Sequence, residues 1–182
     1  MSNFEKCLKP LLQDEGGNDD DPHDPGGRTS RGIIQSEYNR YRDRHNQPRR
    51  DVWTASDEEV ADIYRREYWD ALHCDDLPAG VDYAVFDYGV NSGIGRGAKV
   101  LQKVIGAHVD GQIGPETIRM VTAMPAAKII NDMMAERLNF LQHLGTWSHF
   151  GRGWSRRINH VRNVALKMAE AEHGPGGSTE GK

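Results

Sequence analysis

The chain has few features that would let a reactive or membrane-bound function be read from it directly. Only two of its 182 residues are cysteine, Cys7 and Cys74. They allow at most one disulfide, and only if the fold brings them together. Cys7 falls on the apolar stripe of the first expected helix, so a buried thiol is the expected state. His73 adjoins Cys74, but neighbouring side chains on a helix diverge and do not converge on one zinc ion. No run of about 18 apolar residues exists, so no membrane-spanning helix is expected. The opening Met1-Ser2-Asn3-Phe4-Glu5-Lys6 lacks the basic and apolar regions of a secretory signal, so the molecule is expected to start in the cytoplasm. There is no Gly-x-Ser-x-Gly elbow, no His-Glu-x-x-His zinc helix and no glycine-rich phosphate loop. Strand-helix-strand alternation and internal repeats are also absent. A formal net charge of −4 argues against duplex nucleic acid as the main partner.

What is present is helical periodicity. Hydrophobic content of 37% and charged content of 27% are those of a soluble globular protein, with one core that can split into two lobes. Phe4, Cys7, Leu8, Leu11 and Leu12 set a first helix over residues 3–15, kinked by Pro10. A second is expected from a Ser36 cap, with Tyr38, Tyr41 and His45 on one face. Ser56-Asp57-Glu58-Glu59 is a capping box that opens a third, whose stripe is Val60, Ile63, Tyr64, Tyr68 and Leu72. Trp69 fits either the core or a ligand-facing side. Further helices are expected over 81–92 and 96–105, after Gly114-Pro115, from Pro125 to Gly145, and over 154–172. Residues 16–33 read as loop, with Pro25-Gly26-Gly27 as a turn and a short strand between Thr29 and Ile34. The prediction is a mainly α fold with at most a small β-hairpin near that loop. The glycine-rich tail over residues 173–182 is expected to be disordered.

The chemistry centres on residues 14–29. Gly16-Gly17 ends the first helix, because glycine enters the left-handed conformation cheaply. Glu15 is thereby left at the negative end of the helix dipole, beside Asp14, Asp19, Asp20, Asp21 and Asp24. Both effects raise a carboxyl pKa, and a carboxyl protonated near neutrality can act as a general acid. A solvated acidic loop explains the same composition. A calcium loop fits badly, since Ser30 stands where a bidentate Glu is wanted. Arg28, Arg31, Arg40, Arg42, Arg44, Arg49 and Arg50 crowd the next segment. They read as a solvated basic face, or as a surface attracted to an anionic polymer such as the bacterial wall.

Glu15-Gly16-Gly17, Asp21-Pro22-His23-Asp24-Pro25-Gly26-Gly27, Thr29 and Gly32-Ile33 together resemble the signature of the family 108 glycoside hydrolases, N-acetylmuramidases of phages and bacteria. Phe86-Asp87 with Val90-Asn91-Ser92-Gly93 resembles the same family, as does Gly153-Trp154-Ser155-Arg156-Arg157. The block from Leu101-Gln102 through Asp110-Gly111 to Gly114-Pro115-Glu116-Thr117 is similar to a motif of peptidoglycan-binding helical modules; physically it specifies a helix–turn–helix corner. One departure is Asn18, where the family commonly carries an aromatic residue.

The resemblance implies a lysozyme-like fold, with a catalytic part over 1–77 and a peptidoglycan-binding-like helical part over 78–172 packed on it. It implies hydrolysis of the β-1,4 bond between N-acetylmuramic acid and N-acetylglucosamine. Glu15, Asp24 and Thr29 correspond to the phage-lysozyme trio of acid, carboxylate and hydroxyl. Asp87, Tyr88 and Asn91 are the expected substrate contacts, although Asp87 and Asn91, four apart on one helical face, could equally hydrogen-bond inside the fold. No metal or organic cofactor is implied. The expected partner is bacterial peptidoglycan, with the chain acting on the wall as a monomer and leaving the cytoplasm through a holin-type pore, as phage endolysins do. A lytic transglycosylase and a non-catalytic wall-binding or secretion-accessory protein are the alternatives.

Overall fold

The structure, a computed structural model, describes residues 1–23 and 26–173. Among these, eight α-helices carry most of the chain, with one small antiparallel sheet. The fold is mainly α and lysozyme-like. The chain divides into two compact units, Met1–Trp69 and a second from Asp70 onward.

The first unit opens with α1 (Asn3–Glu15), closed at its start by a reciprocal capping box between Ser2 and Glu5. Its C-cap, Gly16, has φ +74°. Phe4, Cys7, Leu8 and Leu11 form the buried face. Three two-residue strands follow, β1 (Asn18–Asp19), β2 (Thr29–Ser30) and β3 (Ile33–Ile34), paired in the order β1-β2-β3. The expected hairpin is thus one edge of a three-stranded sheet. Helix α2 (Gln35–Arg44) starts directly from β3: its N-cap is Ile34, without a side-chain cap bond, and Ser36 lies inside the helix. The short β3–α2 junction puts the helix start where the chain direction changes, so the available cap residue is passed over. Helix α3 (Asp57–Tyr64) has the expected Ser56–Glu59 capping box. It continues as a single π-helical turn, Arg65–Trp69. Trp69 is fully buried, edge-on to Phe4 at 5.5 Å between centroids, which makes it core.

The second unit is helical throughout. A short 3-10 turn at Cys74–Asp76 leads to α4 (Val81–Ser92), α5 (Ile94–Ile105), α6 (Pro115–Thr122), α7 (Ala126–Gln142) and α8 (Trp147–His173). Every residue of α4 from Val81 to Gly89 is buried, so this helix is the centre around which α5, α7 and α8 pack. A methyl group at Gly97 would lie 3.2 Å from the Gly89 Cα, so glycine lets α4 and α5 approach closely. The segment after Trp69 packs on α4: the Leu72 side chain lies against Gly89. Helix α8 begins at Trp147, seven residues ahead of the expected Trp154 start, and Trp154 sits inside it, stacked on Phe150 at 5.6 Å. The tail beyond His173 lies outside the described residues. Cys7 and Cys74 are both buried thiols. No described helix is long and apolar enough to cross a membrane.

Candidate active site

The site grows from the β2–β3 turn. The register Ser30↔Ile33 leaves Arg31-Gly32 as a two-residue loop, and both have positive φ, +49° and +82°. That is the primed turn geometry that matches strand twist, and it favours glycine at its second position. Arg31 is held there despite its side chain. Its amide donates to the Gly17 carbonyl at 3.1 Å, its guanidinium to Asp57 and, at 2.6 Å, to the Ala55 carbonyl. Its own carbonyl accepts from the Tyr64 hydroxyl at 2.6 Å.

This turn carries Gly32 up to the end of α1. A methyl group at Gly32 would lie 2.8 Å from Glu15 Oε2 and 2.5 Å from the Tyr64 hydroxyl. The Glu15 carboxylate, half-buried at the last residue of α1, therefore packs against the bare backbone of the turn beside Tyr64. Thr29 lies on β2, half-buried, its carbonyl accepting from the exposed Trp53 indole at 3.0 Å. Asp24, the expected second carboxylate, lies outside the described residues.

Two further groups belong to this neighbourhood and were not expected there. Tyr68 stands next to Tyr64, ring centroids 5.7 Å apart. Burial, then the charges of Glu37, Glu67 and Glu15, push its hydroxyl up to about 12. Glu37, in the first turn of α2, is raised from its ordinary value by burial first and then by Glu67, against the lowering effects of Arg40 and of a hydrogen bond with Tyr68. An acidic cluster thus surrounds one phenol. Glu37 carries no motif in the sequence; only the packing of α2 beside the π-helical turn brings it to Tyr68.

The arginine-rich segment is largely neutralised by its own acids. Arg28 pairs with Asp20 at 3.2 Å and with Asp51, and its guanidinium lies 4.0 Å over the Trp53 ring. Arg49 pairs with Asp43 at 2.8 Å and Arg44 with Glu67 at 2.7 Å. Glu59 takes Arg42, Arg50 and the Tyr38 hydroxyl; burial alone would raise its pKa, but Ser56, Tyr38 and the two arginines hold it below the ordinary value. As a solvated face the segment carries less free charge than its composition suggests.

Of the three expected substrate contacts, two are inside the second unit. Asp87 has no exposure: Oδ2 accepts from Arg137 at 2.5 Å and Oδ1 from Arg157 at 3.4 Å. Tyr88 is 1% exposed, with the Arg137 guanidinium 5.0 Å over its ring. Both side chains are buried because α4 is the central helix of its unit. Asn91, one turn further along, is exposed and donates to the Asp87 carbonyl at 2.9 Å. The Leu101–Thr117 block is structural at its centre. The buried Gln102 side chain accepts from the amides of Asp110 and Gly111 and donates to Asp110 Oδ1, closing the α5–α6 corner.

A mainly α protein with a carboxylic acid at the end of its first helix, set against a small hairpin, has the architecture of lysozyme-like glycosidases. The comparisons with known proteins agree. The family model for glycosyl hydrolase 108 matches residues 8–93. The structure of Brucella abortus SagA matches with 40% sequence identity and a TM-score of 0.80, covering 92% of this chain and 95% of that one. Among the curated proteins nothing matches. The chain belongs to glycosyl hydrolase family 108: it is a glycoside hydrolase, and that membership supports peptidoglycan as its class of substrate.

Proposed function

We propose that the protein is an N-acetylmuramidase that cleaves the β-1,4 bond between N-acetylmuramic acid and N-acetylglucosamine, with Glu15 as the general acid. The observation that carries this reading is the seat of Glu15. It ends α1, where the helix dipole favours the neutral acid, and its carboxylate packs on a glycine turn where any side chain would collide with it. Glu15 would protonate the departing glycosidic oxygen, so that an alcohol leaves in place of an alkoxide. Such assistance is worth roughly 10²–10⁴-fold. Asp24 would stabilise the oxocarbenium-like centre or orient the attacking water, and Thr29 would assist through its hydroxyl. The biological setting proposed is the bacterial wall, reached from the cytoplasm as phage endolysins reach it.

Digestion of purified peptidoglycan followed by mass spectrometry of the released sugar ends tests the reading. Reducing N-acetylmuramic acid ends are expected. Anhydro ends would make the enzyme a lytic transglycosylase, which needs no second carboxylate. Absence of any release would make the chain a wall-binding protein.

A further inference from the structure

The arginines over residues 28–50 are largely matched by their own acids, but a second basic stretch is not. From Arg137 to Ala169 the sequence holds five arginines, one lysine and no acidic residue. Arg137 and Arg157 are engaged with Asp87. Arg152 and Arg156, early in α8, are exposed and have no ion pair among the described residues. A groove of about 550 Å³ beside them is lined by Trp147, Ser148, Arg152 and Arg156 among others, and by no acidic residue. Its wall depends on Gly151, where a methyl group would meet the Trp147 ring at 2.7 Å. The same end of the α7–α8 hairpin is also apolar. Of the seven large hydrophobic residues exposed among the described ones, three lie between positions 140 and 150: Phe140, Leu144 and Phe150, the last 55% exposed. Phe150 stacks on Trp154 at 5.6 Å, and Trp154 lines one cavity with Phe140 and Leu144, so the three belong to one patch. Single exposed apolar residues are ordinary, whereas a group of them at one tip marks a contact surface.

Exposed phenylalanine and leucine flanked by arginine, with tryptophan at the junction, make a surface suited to the headgroup layer of an anionic bilayer. We propose that the tip of the α7–α8 hairpin docks on an anionic phospholipid surface. Phe140, Leu144 and Phe150 enter the acyl boundary, and Arg152 and Arg156 meet headgroup phosphates. Charge complementarity selects this partner together with the apolar patch. An anionic polymer would use the arginines and leave the phenylalanines in water. A second copy placed tip to tip would set arginines against arginines. No described helix is long and apolar enough to cross a membrane, so the contact is peripheral. The inference concerns the second unit alone and does not rest on Glu15 or on peptidoglycan as substrate.

Flotation of the whole chain with lipid vesicles tests this. Vesicles of phosphatidylglycerol mixed with phosphatidylcholine are compared with vesicles of phosphatidylcholine alone. The chain is expected to float with the anionic vesicles and to stay behind with the neutral ones. Arg152→Gln and Arg156→Gln should each weaken partition about fivefold, and Phe150→Ser about tenfold or more. All three side chains are exposed, and melting temperatures check that the variants fold. If Phe150→Ser does not fold, the two arginine variants carry the test. No flotation with anionic vesicles, equal flotation with both kinds, or flotation indifferent to both arginine variants overturns the proposal. Binding of inorganic polyphosphate that the arginine variants weaken, without vesicle binding, makes the face a site for anionic polymers and also overturns it. So does a dimer in sedimentation velocity that Phe150→Ser dissociates, again without vesicle binding, which makes the tip a contact between copies. The vesicles carry no glycan, so a failed flotation with intact wall hydrolysis removes the docking surface alone.

Discussion

The carboxylate of Glu15 rests against Gly32, seventeen positions away in the chain, so closely that a methyl group at Gly32 would come within 2.8 Å of Oε2. Helix end and hairpin turn meet at this point, and any side chain added at Gly32 would press on Glu15.

Glu15→Gln keeps the shape of the side chain and removes its transferable proton. Turbidity clearance of a peptidoglycan suspension should fall by at least about 10²-fold, while the melting temperature stays close to that of the parent. A variant within tenfold of the parent would show that the acid lies elsewhere.

Gly32→Ala suffers two penalties, a φ of +82° and contact with the Tyr64 hydroxyl and Glu15. Gly27→Ala has a similar φ of +66° but nothing within 4 Å. Strain alone costs on the order of 1–3 kcal/mol. Both variants should therefore melt lower, and only Gly32→Ala should also lose turnover beyond its loss of folded protein. Equal specific activities in the two would mean that Gly32 is needed for the turn and not for the site.

Glu37 provides a pH test. Its carboxyl is raised in the folded state, first by burial and then by Glu67. A group with a raised folded pKa contributes its stability fully below its unfolded pKa and loses it as pH rises through the folded value. Glu37→Gln should therefore gain melting temperature, relative to the parent, on going from pH 4 to pH 8. A difference that is the same at both pH values would contradict the environment described.

Asp87→Asn leaves Arg137 and Arg157 in the interior without their shared carboxylate. Breaking a buried pair from one side costs about 3–5 kcal/mol. Chemical denaturation should show a loss of that order. A change below about 1 kcal/mol would mean that water reaches the arginines freely.

Local grammar was legible in the residues themselves. Ser56 and Glu59 announced a helix start, Gly16 a helix end, and Pro115 after Gly114 another start, and each is where the sequence put it. These signals act within a few residues, so no tertiary context is needed to read them. The span Val81–Ser92 was legible for the same reason, as was Glu15 at the end of α1. Packing decided the rest. Ser36 has the chemistry of a cap, but α2 begins off a strand and does not use it. Asp87 is a charged residue within a motif, and only the convergence of α4, α7 and α8 shows that two arginines enclose it. Glu37 and Tyr68 are thirty-one positions apart, joined by a π-helical turn that no periodicity of 3.6 residues forecasts. Sequence determines what each segment can become at the range of a turn or a cap. Which charges are desolvated, and which acids share one phenol, depends on distances between segments, and those exist only once the core has formed.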